Sequence, residues 1–140
     1  MSTASVETHP LISIRQDATV QEAAQLMADC SIGAVGVLGA DKRFVGIVTE
    51  RDLAWFVAQA RDAAGTSVAE IVNDFPVVVD GPIGDQRALE RMRSAHVRHL
   101  VVRENGDFRI LSIRDFLGST HIWNTEDGLV RHLHASPKVR

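Results

Sequence analysis

The stretch Gly46-Ile47-Val48-Thr49-Glu50-Arg51-Asp52-Leu53 reads as the end of a strand running straight into a helix. Apolar, largely β-branched residues lead up to Thr49 and helix formers follow it. A threonine at that point accepts hydrogen bonds from the free amides of the first helical turn. Asp52, three residues on, completes a capping box. The junction returns near the other end of the chain as Arg109-Ile110-Leu111-Ser112-Ile113-Arg114-Asp115-Phe116. Thr49 falls on Ser112, Arg51 on Arg114, Asp52 on Asp115 and Leu53 on Phe116, all at an offset of 63 residues. Upstream the offset is 65: Ala23 on Ala88, Met27 on Met92, Ile32 on Val97, Val35 on Leu100 and Val37 on Val102. An offset sustained through small residues, methionine and aspartate marks a duplicated unit.

Each copy reads as strand, helix, strand, strand, helix. In the first, Leu11–Ile14 is a short strand, and Ala18–Cys30 is a helix opened by Thr19 with Glu22 three residues later. Ala34–Leu38 and Phe44–Val48 are strands around a turn at Gly39–Arg43, and Asp52–Ala64 is the second helix. Gly65-Thr66-Ser67 breaks the pattern, and Val68–Val72 is a short helical turn. The second copy gives a strand at Val77–Val79, a helix at Gly84–Ala95 and strands at His99–Val102 and Phe108–Leu111 around an Asn105-Gly106 hairpin turn. Ile113–Leu117 opens a final helix. The fold class is therefore mixed α/β (α+β), built as tandem β-α-β-β-α repeats packed face to face. The divisions are an arm at 1–9, a first repeat at 10–64, a second at 65–119 whose first eleven residues are linker and short helix, and a tail at 120–140.

A chain of 140 residues with a net charge of −3 is long enough to bury a core without staples, and its charges are mixed. The single cysteine, Cys30, allows no internal disulfide, and the start MSTASVETHP is neither basic nor apolar. A cytoplasmic protein is expected, with no membrane span and no broad nucleic-acid surface. No nucleophile–histidine–acid set or paired carboxylates stand out, so no enzyme is expected. His96 and His99, with His121, His132 and His134 in the tail, offer a weak metal alternative that lacks zinc-ligand spacing.

The repeated junction has two readings. The hydroxyl and carboxylate can serve as caps alone, copied with the duplicated unit. The same atoms can also hold the vicinal diol of a ribose, while free amides and Arg51 or Arg114 suit phosphate. The second copy adds Ser94-Ala95-His96-Val97-Arg98-His99, against the uncharged Ser31-Ile32-Gly33-Ala34 of the first. The second cleft is therefore expected to be the better anion site.

On these motifs residues 8–118 resemble a tandem pair of CBS domains, the modules named after cystathionine β-synthase. Gly46-Ile47-Val48-Thr49-Glu50-Arg51-Asp52 matches the family's strand ending of glycine, two apolar residues, Ser/Thr, two residues and Asp. Ile32–Val37 and Val97–Val102 are similar to its second-strand approaches. The resemblance implies a pseudo-symmetric pair, often assembled as a disk-like dimer, that binds AMP, ADP or ATP. S-adenosyl methionine and NAD stand behind these, and no cofactor is obligatory. It implies ribose contacts from Thr49 with Asp52 and from Ser112 with Asp115. Phosphate contacts would come from Arg98, His99, His96 and Arg114, with Arg51 beside the first cap, and base walls from Val35, Ile47, Leu100 and Ile110. Arg109 stands where the family has glycine, and either crowds the second cleft or points away from it. The implied role is regulatory sensing through a homodimer and an effector protein. The alternative is a ligand-free dimerisation or interaction module in which the aspartates are caps and Trp55, Phe56 and Met92 are core or contact surface.

Overall fold

The computed structural model describes residues 5–116. Seven strands and three α-helices follow in the order β1 (His9–Pro10), β2 (Ser13–Arg15), α1 (Val20–Cys30), β3 (Ala34–Leu38), β4 (Phe44–Thr49), α2 (Glu50–Ala58), β5 (Val78–Asp80), α3 (Asp85–Ala95), β6 (His99–Glu104) and β7 (Asp107–Ser112). Short 3-10 turns lie at Val68–Glu70 and Ile113–Phe116. The expected final helix thus begins as a 3-10 turn, and its last residue and the tail lie outside the described residues.

The duplication is visible in the hydrogen-bond register. Strands β2, β3 and β4 form one sheet, with β2 parallel and β4 antiparallel to β3. Strands β5, β6 and β7 repeat this: Ser13 pairs with Gly36 as Val78 pairs with Val101. Val20, Ala23 and Met27 turn one face of α1 onto Val35, Val37, Val48 and Phe56. Ala88 and Met92 of α3 meet Leu100, Val102, Leu111 and Phe116 in the second core. These side chains stand at the three- and four-residue spacing of a helix face and the two-residue spacing of a strand face.

The arm expected at residues 1–9 is partly built into the fold. Strand β1 adds to the free edge of β7, pairing His9 with Ile110 and Pro10 with Arg109. The Val6 amide donates to the Ile83 carbonyl at 2.8 Å, and in the same way the Val68 amide donates to Ala18 at 2.8 Å. Val6 packs against the second core, and Val68 is buried in the first. The segment entering each unit is thus strapped across the other unit. The first strap is not readable from periodicity, because a two-residue strand has no period.

Helix α2 ends at Ala58, six residues before the expected Ala64. The residues beyond it turn back to the start of α1: Gln21 donates to Ala63 at 3.0 Å and Val20 to Thr66 at 2.8 Å. Those tertiary bonds satisfy amides at the start of α1, and they outweigh the helix propensity of the alanines. The stacked rings of Phe44 and Phe108, with centroids 4.4 Å apart, and the Arg114–Glu50 ion pair, at 3.0 Å, link the two units.

Candidate functional site

Thr49 closes strand β4 with extended backbone and caps α2. Its amide donates to Asp52 Oδ2 at 2.8 Å and its hydroxyl to the same oxygen at 3.1 Å, while the Asp52 amide donates back to Thr49 Oγ1 at 3.4 Å. The capping box expected from sequence is therefore present, and it uses one carboxylate oxygen only.

In front of this cap lies a cleft of about 430 Å³. Ile47, Thr49, Glu50, Arg51 and Asp52 form one wall, and Asn73, Phe75, Pro76 and Val77 of the linker form a second. Ala95, His96, Val97, Arg98 and His99 form the third. His96 ends α3 in the left-handed region with φ of 57°, which turns the chain sharply into β6 and brings Arg98 and His99 to the cleft. The linker is held close: Ile47 and Asn73 exchange two backbone hydrogen bonds of 3.0 and 2.9 Å. A side chain at Gly46 would collide with the Asn73 carbonyl oxygen, so only glycine admits this approach.

The basic loop of the second unit therefore faces the cap of the first. This corrects the expectation that the better anion site belongs to the second junction. The first junction meets the strand approach of the second unit because the cleft forms between the two units. Of the expected residues, Ile47, Thr49, Arg51, Asp52, His96, Arg98 and His99 come together in one cleft. Ser112, Asp115 and Arg114 lie at the other junction. Val35 and Leu100 are fully buried in the two cores and wall no cleft, a second correction: their strand positions point to the helices. Ile110 lies in β7, paired with His9 on one side and Val101 on the other.

Glu50, Asn73, Phe75, Pro76 and Val77 line the cleft without having been expected there. Phe75 is 87% exposed, so it contributes little to the core and offers a flat apolar face at the cleft. Its trace in the sequence is an aromatic residue between Asp74 and Pro76.

His99 is half-buried, and its imidazole lies against the backbone at Gly33 close to Glu50. Burial holds it below the ordinary histidine range; Glu50 opposes that shift, and Arg114 and Arg98 add to it. Arg51, Arg98, His96 and the Asp52 carboxylate line the same cleft. Among the described residues no three His, Cys, Asp or Glu side chains form a group that could hold a metal ion.

The second junction is arranged differently. The Ser112 amide donates to Asp115 Oδ2 at 2.7 Å, but Ser112 Oγ accepts from the Arg114 amide at 3.1 Å, one residue earlier than in a full capping box. Asp115 Oδ1 meets His9 Nε2 at 3.0 Å. Arg109 points away from the junction and grips the N-terminal segment: Nε donates to Thr8 Oγ1 at 2.7 Å and Nη2 to the Thr8 carbonyl at 2.9 Å.

The CBS domain model matches residues 4–59, the first unit. An uncharacterized 17.7 kDa protein in the bps2 3′ region of Acidianus ambivalens is 32% identical over 113 residues, covering 79% of this chain and 67% of that one. A CBS domain protein from Pyrobaculum aerophilum complexed with AMP superposes with a TM-score of 0.72 at 31% identity, over 84% of this chain and 92% of that one. A CBS-domain containing protein from Agrobacterium tumefaciens superposes with a TM-score of 0.74 at 26% identity, over 86% and 98% of the two chains.

Proposed function

This chain belongs to the CBS domain family, and we propose that within it the chain is a regulatory module that binds an adenine nucleotide in the cleft between Asp52 and Arg98. The observation that carries this reading is the convergence of a hydroxyl–carboxylate cap from one unit and a cationic loop from the other on a single cleft. A ribose diol donates to the Asp52 carboxylate, with Thr49 beside it. Arg98, His99, His96 and Arg51 balance the phosphates, and arginine supplies the forked donors that suit them. Ile47, Val77 and Phe75 give apolar surface for the flat base. The cleft volume of about 430 Å³ falls in the range of small-molecule sites. The AMP complex of the Pyrobaculum relative supports an adenine nucleotide here, with AMP first and ADP or ATP next.

A nucleotide in this cleft touches both units and the linker between them. Its energy depends on how the units sit, so binding biases their arrangement and the outer surface that a partner protein reads. The test is thermal unfolding of the protein and of Asp52→Ala in AMP, ADP, ATP, S-adenosyl methionine and NAD. A ligand that binds only the folded state raises the melting temperature once its concentration passes Kd. A saturable rise with adenine nucleotides that Asp52→Ala removes is the expected result. A flat response at millimolar nucleotide, from nucleotide-free protein, overturns the reading.

A second reading, a self-association module, is favoured by a separate observation. Trp55 on α2 is 65% exposed and presents a large apolar ring to solvent. Both readings hold together if that face meets a second copy.

A further inference from the structure

We infer that His9 is a built-in occupant of the second junction, so that each chain holds one nucleotide and not two. This rests on the nucleotide reading of the first cleft. The two junctions are equivalent in backbone: Ile47 pairs with Asn73 as Ile110 pairs with His9. The side chains at the two crossing points act in opposite ways. Asn73 folds its amide back, and its Oδ1 accepts from the Phe75 amide at 3.0 Å, so Asp52 is left facing an open cleft. His9 reaches forward instead and takes Asp115 Oδ1 at 3.0 Å, the carboxylate whose counterpart Asp52 is assigned to the ribose.

Three further residues hold His9 there. Buried Thr8 donates from its hydroxyl to Glu104 Oε1 at 3.0 Å, and accepts at that same oxygen from Arg109 Nε at 2.7 Å. Arg109 Nη2 binds the Thr8 carbonyl at 2.9 Å. With the preceding residue fixed, the imidazole competes for Asp115 as an intramolecular group, at a local concentration that a free ligand must exceed. Arg109 is therefore a positioning residue, and its presence at the place of Gly46 is part of the same device.

The second junction also lacks the partner cations. The residues equivalent to His96, Arg98 and His99 are Ser31, Gly33 and Ala34. Arg114, the cation this junction keeps among the described residues, is bound to Glu50 Oε1 at 3.0 Å. Freed of His9, this junction keeps a carboxylate for a diol and little for a phosphate. The ligand class for the opened junction is a nucleoside, and for the first cleft a nucleotide.

Two titrations of the full chain test this. In the first, AMP binds the wild-type protein at one equivalent per chain; two equivalents overturn the inference. In the second, adenosine is titrated against His9→Ala, whose half-exposed position leaves the core intact. The variant gains one adenosine equivalent over wild type, and the further change Asp115→Asn removes it. If His9→Ala gains none, His9 is not the occupant and the inference fails. Absence of AMP binding to the wild-type protein overturns the functional reading alone, because the adenosine gain of His9→Ala is read independently of it.

Discussion

Arg114 of the second unit reaches Glu50 of the first, Nη2 to Oε1 at 3.0 Å, so each junction sends a charge to the other. Glu50 is also the carboxylate nearest in effect to His99, whose imidazole contributes to the cleft. The ion pair is half-exposed and contributes little by itself, about 0–1 kcal/mol. Its importance is connective: a ligand that draws on His99 or Arg98 changes the charge felt at the boundary between the units.

The state of His99 gives a pH prediction. Its folded pKa lies below the ordinary 6.5, so between those two values the unfolded chain binds more proton than the folded one. Its contribution to stability is full above 6.5 and is lost as pH falls through the folded value. The difference in unfolding free energy between wild type and His99→Gln, measured by urea titration, shrinks on going from neutral to acid pH. A phosphate beside the ring favours the imidazolium, so nucleotide binding takes up protons and tightens as pH falls toward the folded value of His99, which lies below 6.5. Calorimetry in buffers of different ionisation enthalpy reads that uptake directly.

Removing the hydroxyl cap separates its structural and binding roles. Thr49→Ala loses the cap of α2 and costs about 1 kcal/mol of stability. Thr49→Ser keeps both. Asp52→Asn keeps the size of the side chain but not its charge, and is expected to weaken nucleotide binding by tenfold or more, from a charge-assisted bond of about 1.5–3 kcal/mol. Equal affinity in Asp52→Asn and wild type would remove Asp52 from the site.

Gly46 and Arg109 occupy matching places in the two units and serve different contacts. Gly46→Ala forces the linker off β4 at Asn73 and is expected to cost about 1–3 kcal/mol, with loss of the cleft's linker wall. Arg109→Met removes the grip on Thr8 and the ion pair with Glu104, 4.0 Å away. Its effect and that of Thr8→Val are non-additive in thermal unfolding, because both break the same contact.

The exposed face of α2 predicts an assembly. Trp55→Glu, at a position 65% exposed, leaves the monomer core intact and shifts the chain toward monomer in light scattering if that face joins two copies. An unchanged mass separates α2 from any self-association.

Both cores respond to truncation in the ordinary way. Leu100→Ala and Phe56→Ala, each fully or almost fully buried, are expected to cost about 2–5 kcal/mol. Denaturant midpoints measure both, and values near zero would contradict the packing described.

Local chemistry made much of the molecule readable. The Thr19–Glu22 and Thr49–Asp52 caps, the Asn105-Gly106 turn and the apolar faces of α1 and α3 depend on residues within a turn or two of one another, and they stand where expected. The duplication was readable because an offset preserves residue types. Arg98 and His99 were legible as cations but not as neighbours of Thr49, since that proximity comes from the crossing of the two units. Val35 and Leu100 were misplaced for a related reason: alternation says that a strand has two faces, not which one meets a helix.

By itself, then, the sequence determined the repeat, its element order, the caps and the residue types available for a ligand. These follow from short-range sterics and hydrogen bonding that each segment carries with it. Only the tertiary structure decided that the two straps cross, that the basic loop faces the opposite cap, and that His9 rather than open space stands before Asp115. Those contacts join residues up to 106 positions apart. Their partners are chosen by how two sheets and their helices bury a shared surface, which no local pattern encodes.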